Sequence, residues 1–199
     1  MKVPLVLVVL VVVSCGSSFS QESLPYFPPR TFYGDFATLD AGVIRWYSAC
    51  LSMLREPSLW AASKDSRRQT YRFLWLRTWD QPISIRIDRN ADGSGTLTLK
   101  VATSSVGCEA NKLQTSRTKN LTKEEFASVV DQFTTSGFWT AAPTEHSSGK
   151  DGADWVLEGA MDGQFHAVKR WSPQKGSVRQ LALLILRLSD FRVAEDRVY

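Results

Sequence analysis

The chain has 199 residues, a formal net charge of +4, and 43% hydrophobic residues, which include seven Trp. That length suits one domain, and the apolar content is enough to bury a core, which excludes a wholly disordered chain. The positive charge is mild and no recognition motif is present, so the sequence does not indicate a nucleic-acid-binding protein.

The N-terminus has the layout of a secretory signal. Lys2 precedes an unbroken apolar run over residues 3–13, and small residues follow it. This run is shorter than the roughly 20 apolar residues that a membrane-spanning helix needs. We therefore predict that the protein is exported and that residues 1–20 are a signal segment.

Two processing sites compete within this segment. The sequence ending at Cys15 resembles the bacterial lipoprotein signal, in which the Cys becomes the lipidated first residue. Cleavage after Ser20 is the alternative, and it would release a periplasmic or secreted protein. Lipidation instead predicts a membrane-anchored lipoprotein of the bacterial envelope. The predicted organisation is a signal at 1–20, a tether at 21–33, a single α+β domain at 34–192 and a charged tail at 193–199.

Loss or lipidation of Cys15 leaves two cysteines, Cys50 and Cys108. An even pair in an oxidising compartment predicts a disulfide bond, and two buried free thiols are the alternative. No cysteine spacing resembles a zinc or iron–sulfur site.

The first half of the chain predicts one helix and three strands. A helix is expected from Phe36 to Leu54, with Cys50 on its buried stripe. A strand is expected over 70–79, and because both of its faces carry apolar side chains, it should be central in a sheet. Alternating residues on both sides of 90–95 predict a hairpin. The predicted helix stripe comprises Phe36, Leu39, Val43, Ile44, Tyr47, Cys50, Leu51 and Leu54.

The second half predicts two further helices and a second hairpin. Residues 103–120 are a predicted polar loop, and a capping box at Thr122 then opens a helix that ends near Gly137. Asp162-Gly163 is a strong hairpin turn, and 178–188 is an amphipathic helix. The order predicts an α+β fold: an antiparallel sheet of about five strands, a three-strand meander plus a hairpin, with about three helices on one side.

One segment resembles a calcium loop. Asp88, Asn90 and Asp92 match the opening of an EF-hand loop, but its twelfth position is Leu99 instead of Glu. These residues remain a weak calcium candidate, because Asp, Asn and Gly are also typical of a hairpin turn. No other metal site and no cofactor is predicted.

Two histidines are the only candidate bases at neutral pH. His146 is expected to be exposed in a polar loop. His166 lies within a strand, and Asp154 or Glu158 on the neighbouring strand are its possible catalytic partners. In the simplest register these carboxylates face the opposite way, and a one-residue shift of the turn would reunite them with His166. A hydrogen-bonded structural histidine is the alternative.

Aromatic and basic residues supply the candidate binding surface. Trp is usually core packing, but near an exposed Arg it can stack on a sugar ring or a partner side chain. The basic segment 64–68 could attract an anionic envelope component, although a solvated surface is the alternative. The binding candidates are Arg77, Trp79, Trp155, Arg170 and Trp171.

Four segments, at 71–77, 92–97, 151–155 and 170–173, resemble a group of uncharacterised bacterial exported proteins. The resemblance implies a bacterial origin and one shared domain, and it carries no activity.

No hydrolase elbow, zinc-protease helix, phosphate loop or dinucleotide-binding turn is present. The leading hypothesis is therefore a non-enzymatic envelope protein that binds a partner protein or an anionic envelope component, although the sequence leaves enzymatic activity open. One alternative is an envelope hydrolase using His166 with Asp154 or Glu158. Another is an enzyme inhibitor that inserts loop 143–152 or loop 88–95.

Overall fold

The computed structural model describes residues 25–103, 108, 111–145 and 149–199. The predicted signal, Cys15 and His146 lie outside these residues. The described residues form four α-helices and one antiparallel sheet of six strands, so the α+β prediction is confirmed. The helices are α1 (Ala37–Met53), α2 (Leu59–Ala62), α3 (Lys123–Thr135) and α4 (Ser177–Leu188). The strands are β1 (Thr70–Arg77), β2 (Ile83–Arg89), β3 (Gly95–Ala102), β4 (Leu113–Leu121), β5 (Ala153–Met161) and β6 (Gln164–Trp171).

The strand order is β4-β3-β2-β1-β5-β6. β1 lies inside the sheet, pairs with β2 and β5, and is buried along its whole length. The central position predicted from its two apolar faces is therefore correct.

The sixth strand is β4, which the sequence placed in a polar loop. It carries hydrophilic side chains on both faces, and only Leu121 is fully buried. Such a strand shows no apolar alternation, because it pairs at the edge of the sheet and leaves most of its surface in water. Periodicity therefore gives no signal for it.

One side of the sheet, the apolar face, is covered by α3 and α4. Its largest side chains are Trp75 and Trp155, both fully buried, whose ring centroids lie 5.3 Å apart. α3 begins with the predicted capping box. The Thr122 hydroxyl accepts from the Glu125 amide, and the Glu125 carboxylate accepts from the Thr122 amide. This cap places Phe126 and Val129 toward the sheet.

The opposite side, the charged face, carries α1 and the segment that precedes it. The prediction that the helices pack on one side is therefore wrong. Leu51 of α1 and Leu54, which follows the helix, pack in one cluster with Leu74 and Val156 of the sheet. Cys50 and Cys108 form the predicted disulfide, with their Cα atoms 4.8 Å apart.

The predicted stripe of α1 is buried at Tyr47, Cys50, Leu51 and Leu54 and departs from the prediction at its start. Phe36 and Leu39 are exposed, whereas Asp40 is buried. The Asp40 carboxylate accepts hydrogen bonds from the main-chain amides of Arg30, Phe32 and Tyr33 at 2.7–2.9 Å. These bonds satisfy a buried charge and fix the preceding segment to the first turn of α1.

The two segments predicted to flank the domain, the tether and the tail, also contribute to packing. Within the predicted tether, Phe27 and Phe32 are buried against α1. Within the predicted tail, the main-chain oxygen of Tyr199 accepts from the indole nitrogens of Trp75, at 3.2 Å, and Trp155, at 2.8 Å.

The second edge strand, β6, is accompanied by residues 141–145. The Lys169 amide donates to the Pro143 carbonyl at 2.7 Å, and Thr144 forms a parallel bridge to Lys169.

Within the described part of the chain, none of the helices has the length and apolar character required to cross a bilayer.

Candidate functional site

A row of buried charges crosses the charged face. Arg72 on β1 lies directly between Glu158 on β5 and Arg86 on β2 in the strand register. Arg72 and Glu158 are fully buried, and two guanidinium nitrogens of Arg72 donate to the Glu158 carboxylate at 2.8 and 2.6 Å. A third donates to the Pro57 carbonyl at 2.7 Å. Each of the three guanidinium nitrogens of the buried Arg72 side chain therefore donates a hydrogen bond.

Glu56 extends this row above the sheet. It follows α1, is almost fully buried, and accepts from Nε of Arg86 at 2.9 Å. Its other oxygen lies 3.0 Å from Nζ of Lys100, and Nη1 of Arg72 lies 3.5 Å from the carboxylate. One carboxylate thus holds three cations from three adjacent strands. The charge cluster comprises Glu56, Arg72, Arg86, Lys100 and Glu158.

Burial and pairing act in opposite directions on these groups. Loss of water raises the pKa of Glu158, and the nearby Arg72 guanidinium opposes this shift. For Arg72, burial lowers the pKa, but the carboxylates of Glu158 and Glu56 outweigh it, so the net shift is upward. The guanidinium therefore stays charged in the fold.

A groove opens beside the charge cluster, between α2, the segment 65–69 and the end of β2. Its cavity volume is about 650 Å³. Four arginines and two aspartates line it, together with smaller polar and apolar side chains. The charged residues of this arginine groove are Asp65, Arg67, Arg68, Arg86, Asp88 and Arg89.

The arginines of the groove differ in how firmly they are held. Arg86 bonds to Glu56 and to Asp88, so its guanidinium is fixed at the inner side of the groove. Arg67 is exposed and pairs with Asp65 at 2.9 and 3.0 Å. Arg68 is exposed and reaches Asp65 only at 4.0 Å. Arg89 is exposed and forms no ion pair with any of the described residues.

The groove presents several groups that bind anions. Guanidinium groups bind phosphate and carboxylate groups through paired hydrogen bonds. The lining contains no His, Cys or Tyr that could act as a base or nucleophile. The Thr70 hydroxyl donates to Asp88 at 2.8 Å, and the Ser58 hydroxyl accepts from the Ala61 amide as the cap of α2.

The sheet separates His166 from its predicted catalytic partners. Gly159 pairs with His166 and Asp154 with Trp171, which is the simplest register, so Asp154 and Glu158 face the opposite side from His166. The half-buried imidazole bonds through Nε2 to the Ala141 carbonyl at 3.0 Å. Burial lowers the pKa of His166, and nearby Arg170 lowers it further. The geometry does not bring these three residues together.

The two carboxylates have other partners on the charged face. Glu158 belongs to the charge cluster. Asp154 is buried 3.3 Å from Nζ of Lys169, which also donates to the Tyr33 hydroxyl at 3.1 Å. Burial raises the pKa of Asp154, and Lys169 opposes that shift.

The calcium candidates are engaged in the hairpin turn. Asp88 accepts from Thr70 and Arg86, and the Asn90 side-chain oxygen accepts from the Thr96 hydroxyl at 3.0 Å. The Asp92 carboxylate accepts from the amide and hydroxyl of Ser94, which lowers the pKa of Asp92. Among the residues that the structure describes, no group of three or more His, Cys, Asp or Glu is placed to hold a metal ion.

The five predicted binding residues are dispersed. Trp155 is core, and Arg77 is buried with its guanidinium 4.2 Å from the Trp75 ring centroid. Arg170 pairs with Glu145 at 2.9 Å beside the half-buried Trp171, in a small cleft at the start of α4. Trp79 is exposed.

Sequence reasoning found only part of the arginine groove. The basic segment 64–68 was a candidate, and it contributes Arg67 and Arg68. Arg86 and Arg89 come from a strand 18 or more residues later, and Glu56 comes from the end of a helix. Charged residues at alternating positions of β2 were the available signal, but they also fit a solvated strand face.

No protein-family model matches the chain, and neither a curated protein nor a solved structure matches it. The resemblance to bacterial exported proteins therefore stays a prediction.

Proposed function

We propose that the protein is a non-enzymatic binding protein of the bacterial cell envelope, exported and anchored through Cys15. Its arginine groove holds an anionic group of an envelope component, such as a phosphate or a carboxylate. The observation that carries this proposal is the groove itself, in which four arginines face two aspartates around a cavity of about 650 Å³.

The charge cluster supports binding by fixing one arginine in advance. Glu56 is held by Lys100 and Arg72, so its carboxylate fixes the position of the Arg86 guanidinium. A donor that is ordered before binding loses less conformational entropy when the ligand arrives. Arg68 and Arg89 are exposed in the same groove as Arg86, so their guanidinium groups can bind the same anion.

The disulfide supports export, because such bonds persist in oxidising compartments. Intact mass of the protein from its native envelope tests this part. A mass increase corresponding to lipid on Cys15, with no free thiol, is expected. An N-terminus at Gln21 would contradict the anchor and keep export, and free Cys50 and Cys108 would contradict the disulfide that supports export.

Titration calorimetry of the full chain with inorganic pyrophosphate tests the groove. Arg89→Gln and Arg68→Gln should each weaken binding about tenfold, the size expected for one charge-assisted hydrogen bond. Arg45→Gln is the matched control, because Arg45 is exposed on α1 and does not line the groove. The control removes the same charge and should bind as the parent does.

Two results would contradict the groove proposal. One is equal weakening by all three substitutions, which would show attraction to net charge alone. The other is no binding of either pyrophosphate or citrate at low salt. Preference between these two anions distinguishes a phosphate from a carboxylate ligand.

A further inference from the structure

α1 exposes an apolar surface that the fold leaves uncovered. Leu39 is 51% exposed, Trp46 is 43% exposed, and Phe36, just before the helix, is 68% exposed. Val43 lies between them, and with Gly42 these side chains line a shallow open groove. Three of the four large apolar side chains that the described residues expose are in this region. We name Phe36, Leu39, Val43 and Trp46 the α1 outer face.

Few charged groups accompany the α1 outer face. The helix contains two charged residues, Asp40 and Arg45. Asp40 is buried by its bonds to the preceding segment, whereas Arg45 is exposed on the helix and Asp35 is exposed just before Phe36. Exposed Trp and other apolar side chains with few charges around them are typical of a surface that contacts the headgroup region of a bilayer.

The path of the chain brings this face close to the N-terminal apolar segment. Pro25, the first described residue, is ten positions after Cys15, and a chain of that length reaches at most about 35 Å. Residues 30–33 are then bonded to the first turn of α1 through Asp40. An anchor at Cys15 therefore holds Pro25 within about 35 Å of the bilayer, and the segment that begins there leads directly into α1.

We propose that the α1 outer face rests in the headgroup region of a phospholipid membrane, with Trp46 among the headgroups. The inference uses the anchor of the proposed function but is independent of the arginine groove. A peripheral helix contact of this kind adds a second point of attachment, which fixes the orientation of the domain.

Tryptophan quenching in vesicles tests the contact. The full chain is reconstituted into vesicles of phosphatidylcholine and phosphatidylglycerol, 3:1, in which the phosphatidylcholine is brominated on its acyl chains. Bromine quenches only nearby indoles, so Trp46→Phe should remove most of the quenchable fluorescence. Trp79→Phe is the matched control, because Trp79 is 65% exposed and lies beyond β1, and it should leave the quenching unchanged.

Other outcomes overturn the inference and separate it from the proposed function. If the chain floats with vesicles but Trp46→Phe leaves quenching unchanged, the anchor stands and the α1 contact is wrong, whether the face is bare or covered by a second copy. If both substitutions reduce quenching equally, the contact is not specific to α1. If the chain does not float, both the anchor and the contact fail, whereas pyrophosphate binding is unaffected.

Discussion

The two faces of the sheet are built on different principles. The apolar face buries aromatic and aliphatic side chains under α3 and α4, and its core includes Trp75, Trp155 and Phe133. The charged face buries a mixed aromatic and aliphatic cluster under α1, and beside it a cluster of five charged side chains. Apolar packing is non-directional and tolerates repacking, whereas a buried ion network works only when every member has its partner. The charged face should therefore be the more specific and the more fragile.

The largest effect should come from breaking the charge cluster. Glu158→Ala leaves the Arg72 guanidinium buried without its main partner, which should lower the free energy of unfolding by about 3–5 kcal/mol. Replacing both partners, Arg72→Met with Glu158→Leu, should recover most of this loss, because no buried charge is left unpaired. Urea unfolding measures both. A double variant as unstable as the single one would show that the pair is not the source of the effect.

The disulfide should give the next largest effect. Cys50 and Cys108 are 58 residues apart in sequence, and closing a loop of that length stabilises a fold by about 3–4 kcal/mol. The Cys50→Ala, Cys108→Ala double variant should lose that amount in urea unfolding. Cys15→Ser is the control and should unfold as the parent does. A loss below about 1 kcal/mol would show that packing of α1 alone fixes the charged face.

The smallest effect on stability should come from protonation of His166 on the apolar face. The folded pKa of His166 is below its ordinary value of 6.5, so the unfolded chain binds the proton more readily. The free energy of unfolding should therefore fall as pH drops from 7.5 through 6.5, and His166→Gln should flatten this decline. His146→Gln, at the only other histidine, should retain it. An unchanged slope in His166→Gln would contradict the assignment.

Local chemistry made much of the fold predictable. The Thr122 capping box and the Asp162-Gly163 turn depend on residues close in sequence, and both lie where expected. The two-sided apolar pattern of β1 identified the central strand for the same reason. The disulfide followed from a count of cysteines.

Features that depend on distant partners were not predictable. At the start of α1, Asp40 is buried by its bonds to residues 30–33 while Phe36 and Leu39 are exposed, and periodicity cannot show that a carboxylate will be buried. The placement of helices on both faces has no local signal either. In the candidate site, only the segment 64–68 was visible, because Arg86 and Arg89 reach the groove from β2 and Glu56 reaches Arg86 from the segment after α1.

The two edge strands of the sheet determine whether neighbouring molecules can pair through them. An uncovered strand edge can pair with the edge of another molecule and start aggregation. At one edge β4 carries Arg117 and Lys119, and at the other, residues 141–145 accompany β6. A sheet with one cationic edge and one accompanied edge therefore resists edge-to-edge pairing between molecules at high concentration.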